Sequence, residues 1–128
     1  MTRTPEELVT EFCGLWAAPD PEELASYFTE NAIYQNMPMP PIHGREAIKE
    51  FLAVFTADFS GIDFDVHHQM SNGGVVMNER TDTLRRKDGT AVDLPVMGVF
   101  EIVDGQIAAW RDYWDMATFT RATTAPEG

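Results

Sequence analysis

Between Val92 and Ile102 every even-numbered position is apolar or glycine: Val92, Leu94, Val96, Gly98, Phe100 and Ile102. A period of two belongs to a β-strand, whose successive side chains leave opposite faces, so this side must face a core. The same period runs through Val75 to Arg86, with Val76, Asn78, Arg80, Asp82 and Leu84 on one face. It recurs from Phe59 to Met70 through Ile62, Phe64, Val66, His68 and Met70. A last strand, Ile107 to Trp114, places Ala108, Trp110, Asp112 and Trp114 on one face and Ala109, Arg111 and Tyr113 on the other. Ser71-Asn72-Gly73-Gly74 and Lys87-Asp88-Gly89 supply turns, so the second half of the chain reads as sheet.

Charged residues interrupt the inward faces. Asp112 lies between two indoles, where a carboxylate loses water and must find hydrogen-bond partners or hold its proton more tightly. That is how a general acid or base is made, although a buried Asp satisfied by amides or an Arg is the plainer reading of this strand alone. Register ties the strands together, because residues directly opposite share a face. A three-residue loop at Val103-Asp104-Gly105, with Gly in the left-handed position, predicts Ile102 against Gln106, Trp110 against Gly98 and Asp112 against Val96. A two-residue Asp104-Gly105 turn would set Asp112 against Met97, off the apolar row. Pairing Arg86 with Thr90 sets Arg80 against Val96 and Asp82 against Leu94. Arg80, Val96 and Asp112 then form one row, with about 9 to 10 Å between the outer backbones. Asp82 stands two residues from Arg80, so one guanidinium could hold a carboxylate on each side.

The first third reads as helices. Thr4-Pro5 with Glu7 matches an N-cap, a first-turn proline and a capping box, followed by an apolar stripe of Leu8, Phe12, Leu15 and Trp16. Asp20-Pro21-Glu22-Glu23 repeats the signal for a short helix that buries Leu24, Tyr27 and Phe28. A third helix is expected over about Arg45 to Phe55, with Ala47, Ile48, Phe51, Leu52 and Phe55 inward. If Ala32 to Asn36 is extended, Tyr34 and Asn36 leave the same face, and the prolines predict a stiff extended loop from Met37 to Pro41. A phenol and a carboxamide held this way can orient a water or a substrate oxygen, or else pack and turn without further role. His67 and His68 are adjacent and so expected on opposite faces, which makes a shared metal ion improbable.

At 128 residues the chain is expected to be one domain, 1–128. A net charge of −12 argues against nucleic acid and anionic membranes as partners, since both need a basic face. Cys13 is the only cysteine, which excludes an intramolecular disulfide and suits a reducing, cytoplasmic setting. The first residues lack the apolar core of a signal peptide, and no apolar run is long enough to span a bilayer.

Four stretches together resemble the limonene-1,2-epoxide hydrolases: Tyr34-Gln35-Asn36-Met37-Pro38 with Pro40-Pro41 and Gly44-Arg45, then Glu79-Arg80-Thr81-Asp82, Gly98-Val99-Phe100 and Trp110-Arg111-Asp112-Tyr113. That family lies within the NTF2-like folds, which also hold ketosteroid isomerases and SnoaL-type polyketide cyclases. The resemblance implies an α+β, NTF2-like cone, with N-terminal helices on a strongly curved, mostly antiparallel sheet enclosing an apolar pocket. The chain departs from the family pattern in its shorter N-terminus, at Lys87 to Gly89, at Trp114, where a smaller aromatic is usual, and in the tail from Thr118 to Gly128.

Position by position, the resemblance implies that Asp112 is the base that deprotonates a water held by Tyr34 and Asn36. Asp82 would be the acid that protonates the epoxide oxygen, and Arg80 would bridge the two carboxyls. Leu84, Leu94, Val96, Trp110 and Trp114 would line a pocket for a small apolar epoxide. No metal or organic cofactor is expected, and a homodimer through the outer sheet face, with Met97, Val99 and Tyr113, is the family's habit. The other readings are a polyketide cyclase or ketosteroid-isomerase-like enzyme working on a carbonyl substrate, and a non-catalytic NTF2-like binding module.

Overall fold

In the computed structural model, which describes residues 3–123, the helix signals act as the sequence implies. Helix α1 (Pro5–Leu15) is closed by a reciprocal capping box: Glu7 N–H donates to Thr4 Oγ1 at 3.1 Å and Thr4 N–H to Glu7 Oε1 at 2.8 Å. Its buried side is Leu8, Val9, Phe12 and Cys13, with Trp16 just beyond its end. Helix α2 (Pro21–Ala25) starts at Asp20, whose carboxylate accepts from Glu22 N–H at 3.0 Å. It ends earlier than expected, because Phe28 opens strand β1 (Phe28–Met37) and reaches the core from there. Helix α3 (Arg45–Thr56) buries Ile48 and Leu52 and half-buries Phe51 and Phe55, but Ala47 is exposed; Thr56, not expected inward, is buried at its end with its hydroxyl bonded to the Leu52 carbonyl at 2.7 Å.

The expected extended loop after β1 is instead a turn. Met39 N–H donates to the Asn36 carbonyl at 2.6 Å, and the chain doubles back as β2 (Ile42–His43), paired with Ile33 and Tyr34. Prolines bias their predecessors toward extended backbone but do not forbid a turn. Strands β3 (Phe59–Asn72), β4 (Val75–Arg86), β5 (Ala91–Val103) and β6 (Gln106–Tyr113) follow, then helix α4 (Met116–Thr123). The tail read from Thr118 thus begins as helix, and residues 124–128 lie outside the described residues.

The six strands form one curved sheet in the order β2-β1-β6-β5-β4-β3, antiparallel throughout except where β1 runs parallel to β6. Helix α1 lies over β3 and β4, and α3 over β1 and β3. Between helices and sheet, Trp110 is stacked with Tyr34 at 4.5 Å and Phe100 at 5.2 Å, and meets Phe12 edge-on at 5.2 Å. A buried ring of this size contributes roughly 3–5 kcal/mol, so Trp110 is a structural hub. No helix of the described residues is long and apolar enough to cross a membrane.

Two bulges correct the expected register. The β5–β6 turn is the two-residue Asp104-Gly105, both at positive φ, which pairs Val103 with Gln106 and Ile102 with Ile107. Ala108 is then an extra residue, and beyond it Trp110 faces Phe100 and Asp112 faces Gly98. The bulge restores the inward face that the tight turn alone would have lost. In β3 His67 is the extra residue between Val66, opposite Arg80, and His68, opposite Glu79. Both histidines consequently lie on the outer face, His67 beside Thr81 and His68 beside Glu79, whereas Gln69 turns inward.

Candidate active site

Strand β4 sends Val76, Asn78, Arg80, Asp82 and Leu84 inward, and all five are buried. Arg80, 1% exposed, is the only cation among the buried residues described, and its donors are shared out among neighbours. Nε donates to Asp82 Oδ1 at 2.7 Å and Nη2 to Asp82 Oδ2 at 3.2 Å. Nη2 also donates to Asp112 Oδ2 at 2.6 Å, and Nη1 to Asn78 Oδ1 at 3.0 Å. Arg80 reaches Asp112 diagonally rather than along a row, since Val96 faces Arg80 while Gly98 lies between Asn78 and Asp112. Gly98 leaves the room this needs. A Cβ there would run into Arg80 Nη1 and stand 2.8 Å from Asp112 Oδ1. Gly98, expected opposite Trp110, thus lies opposite Asp112 instead, and its open space serves the ion pair. Gly98→Ala should push guanidinium and carboxylate apart, destabilising the fold by about 1–3 kcal/mol and lowering any activity of the site on the order of 100-fold. Thermal unfolding and steady-state rates of the variant check both.

The cluster holds one positive and two potentially negative groups. Burial pushes the Asp82 carboxyl up to about 6 against the pull of Arg80, and burial likewise raises Asp112 despite its bonds to Arg80 and Trp110. Burial alone would lower the Arg80 pKa, but Asp112 and Asp82 outweigh it and keep the guanidinium charged. The neutral state of the cluster therefore has one proton shared by two carboxyls. Geometry favours Asp82 as its holder. Each Asp112 oxygen accepts a short bond, one from Arg80 and one from Trp110 Nε1 at 2.7 Å, whereas Asp82 Oδ2 has only the 3.2 Å contact to lose.

In front of the cluster lies a cavity of about 240 Å³. Leu84, Leu94, Val96, Trp110 and Trp114 stand on its wall, as do Tyr34, Asn36, Asp82 and Asp112. Arg80 is set behind the wall, 4.3 Å from the Phe64 ring centroid. Sequence periodicity missed the opposite side: Trp16 after α1, Phe51 and Phe55 on α3, Ile62 and Phe64 on β3, Met39 in the turn and Phe119 on α4. Trp16, Phe51, Phe55, Ile62 and Phe64 were legible only as apolar faces and Met39 and Phe119 only as loop and tail, since nothing local tells a residue that packs from one that borders a void.

Pairing of β1 with β6 sets Tyr34 beside Trp110 and Asn36 beside Asp112. The second indole does not meet Asp112: Trp114 Nε1 donates to Asn36 Oδ1 at 3.2 Å. An indole can only donate, so the Asn36 carbonyl is turned to Trp114 and its NH2 to the Tyr34 hydroxyl, with which it bonds. Burial raises the Tyr34 pKa, which keeps the phenol protonated. A phenol, a carboxamide and a carboxylate thus converge on one side of an apolar cavity, with a second carboxyl beside them.

Residues 17–125 match the model of the limonene-1,2-epoxide hydrolase catalytic domain. The chain belongs to that family. Among characterised proteins it is 32% identical over 87 residues to the epoxide hydrolase EphG of Mycobacterium tuberculosis, covering 68% of this chain but only 57% of that protein. The solved structure of an M. tuberculosis LEH-like epoxide hydrolase superposes with a TM-score of 0.81 at 26% identity, over 92% of this chain and 87% of the other. A protein of Jannaschia sp. CCS1 assigned to the SnoaL-like polyketide cyclases superposes at 0.83, 21% identical over 99% of both chains, which shows the shared fold. The family fold is therefore the NTF2-like cone of helices on a curved, unclosed sheet.

Proposed function

We propose that the protein hydrolyses an apolar epoxide to a vicinal diol in one step, without a covalent enzyme intermediate. The observation that carries this reading is the Arg80 guanidinium bonded at once to Asp82 and Asp112 at the edge of an apolar cavity. Family membership supports the same class of reaction.

A water held by Asn36 and Tyr34 gives one proton to Asp112 as its oxygen attacks an epoxide carbon. The ring carbon–oxygen bond breaks, and the developing alkoxide takes the proton of Asp82. Before the step Asp112 is ionised and Asp82 protonated, and afterwards the roles are exchanged. Arg80, bonded to both, holds the two carboxyls in place while the proton returns to Asp82. An isomerase working at a carbonyl would have no need of two carboxyls astride a buried guanidinium. The outer sheet face, where Met77, Met97 and Tyr113 are exposed, is proposed to pair with a second copy.

A single-turnover reaction in oxygen-18 water over a panel of apolar epoxides tests the mechanism. Label in the first-turnover diol is expected. Unlabelled first product would mean a carboxylate attacked carbon and would overturn the one-step scheme. Tyr34→Phe keeps the ring stacked on Trp110 and leaves the water its other two anchors, so kcat should fall only about 10-fold. A loss as large as that of Asp112→Asn would place Tyr34 in proton transfer instead.

A further inference from the structure

The Arg80 guanidinium has a partner that the proposed chemistry does not use. Asn78, 1% exposed, accepts from Arg80 Nη1 through Oδ1 and lies behind the cavity rather than on its wall. Its Nδ2 donates to Gln69 Oε1 at 3.1 Å. Gln69 Nε2 in turn donates to Thr10 Oγ1 at 3.0 Å and to the Glu6 carbonyl at 3.4 Å, both on α1. Gln69 faces inward because β3 is bulged at His67, and α1 precedes residue 17, where the family match begins.

The direction of this relay is set from its outer end. A backbone carbonyl only accepts, so Gln69 turns its NH2 to α1 and its oxygen to Asn78. Asn78 must then present NH2 to Gln69, which leaves its oxygen for Arg80. Flipping either amide would set like groups against each other, and at the buried Asn78 each lost bond is costly. We propose that Asn78 and Gln69 are positioning residues, anchored on α1, that hold the plane of the Arg80 guanidinium so that Nε and Nη2 engage Asp82 and Asp112 together.

The kinetic half of this inference rests on the hydrolase reading; the spectroscopic half does not. Asn78→Leu keeps the volume and removes the acceptor, and Gln69→Leu removes the link to α1. Gln69→Glu still accepts from Asn78, and the Thr10 hydroxyl can turn to donate to it; only the long bond to the Glu6 carbonyl is lost, so it should largely rescue the relay. In the full-length protein, 15N–1H spectra of the Arg80 side chain should show guanidinium protons exchanging on the order of 10-fold faster in both Leu variants and near the native rate in Gln69→Glu. On an epoxide that the native protein turns over, kcat should fall about 10-fold in the Leu variants with KM changed by less than about threefold, because neither residue touches the cavity. If Asn78→Leu does not fold, the Gln69 pair decides. Native exchange rates in a folded Leu variant overturn the proposal, as does faster exchange with kcat per folded molecule unchanged. Should the native protein open no epoxide, the hydrolase reading falls and the exchange rates alone judge the relay.

Discussion

Asp112→Asn is expected to give a folded protein with no measurable epoxide turnover, a loss on the order of 1,000-fold or more. The amide removes the base itself, and it disturbs the second carboxyl as well. In the native cluster both Asp112 oxygens accept, from Arg80 and from Trp110, so an NH2 in either place faces a donor and costs about 1–3 kcal/mol. Against this, the variant has one carboxyl for one guanidinium, which is the neutral count. Asp82 then loses the neighbouring negative charge that helps burial hold its proton and should ionise more readily beside Arg80, so the acid is weakened together with the loss of the base. Circular dichroism and thermal unfolding establish that the variant is folded, and a single-turnover assay reads the chemistry. Near-native rates in Asp112→Asn would remove it from the role of base.

Much of this site was legible in the sequence because strands encode faces directly. Val76 to Leu84 and Val92 to Phe100 have no bulge, and there the period of two gave both burial and the pairing of Arg80 with Val96 and Asp82 with Leu94. Where a strand carries an extra residue, counting fails by one. On β6 the tight turn and the bulge at Ala108 cancel, so Asp112 faces inward although its partner is Gly98 rather than Val96. On β3 nothing cancels the bulge, and Gln69 replaces His68 on the inner face. A bulge is selected by packing between layers, which no local pattern records. The same holds for Ala47, whose apolar side chain fits helical spacing but lies on the exposed flank of α3. The aromatic wall from Phe51, Phe55 and Phe64 belongs to this class too: the residues were visible as apolar, and the void between them was not.

Asp82→Asn should also abolish turnover, by on the order of 100- to 10,000-fold, and it should leave a second signature in the stability of the fold. In the native protein Asp82 keeps its proton up to about pH 6, whereas an unfolded chain releases it near 4. Between those values the folded state binds more protons at Asp82 than the unfolded one, so the stability that Asp82 contributes is full below about pH 4 and is lost as pH rises through 6. For a group this deeply buried the loss is about 3 kcal/mol. Asp112, raised by the same burial, acts in the same direction. Asparagine has no proton to lose, so urea unfolding of Asp82→Asn at steps from pH 4 to 8 should show the decline shortened by about that amount. The native activity should follow the same proton, with an alkaline limb of kcat/KM centred near pH 6 that reflects ionisation of the acid. An identical stability decline in variant and native protein would mean that Asp82 is already ionised throughout, and the acid would have to be sought elsewhere on the cavity wall.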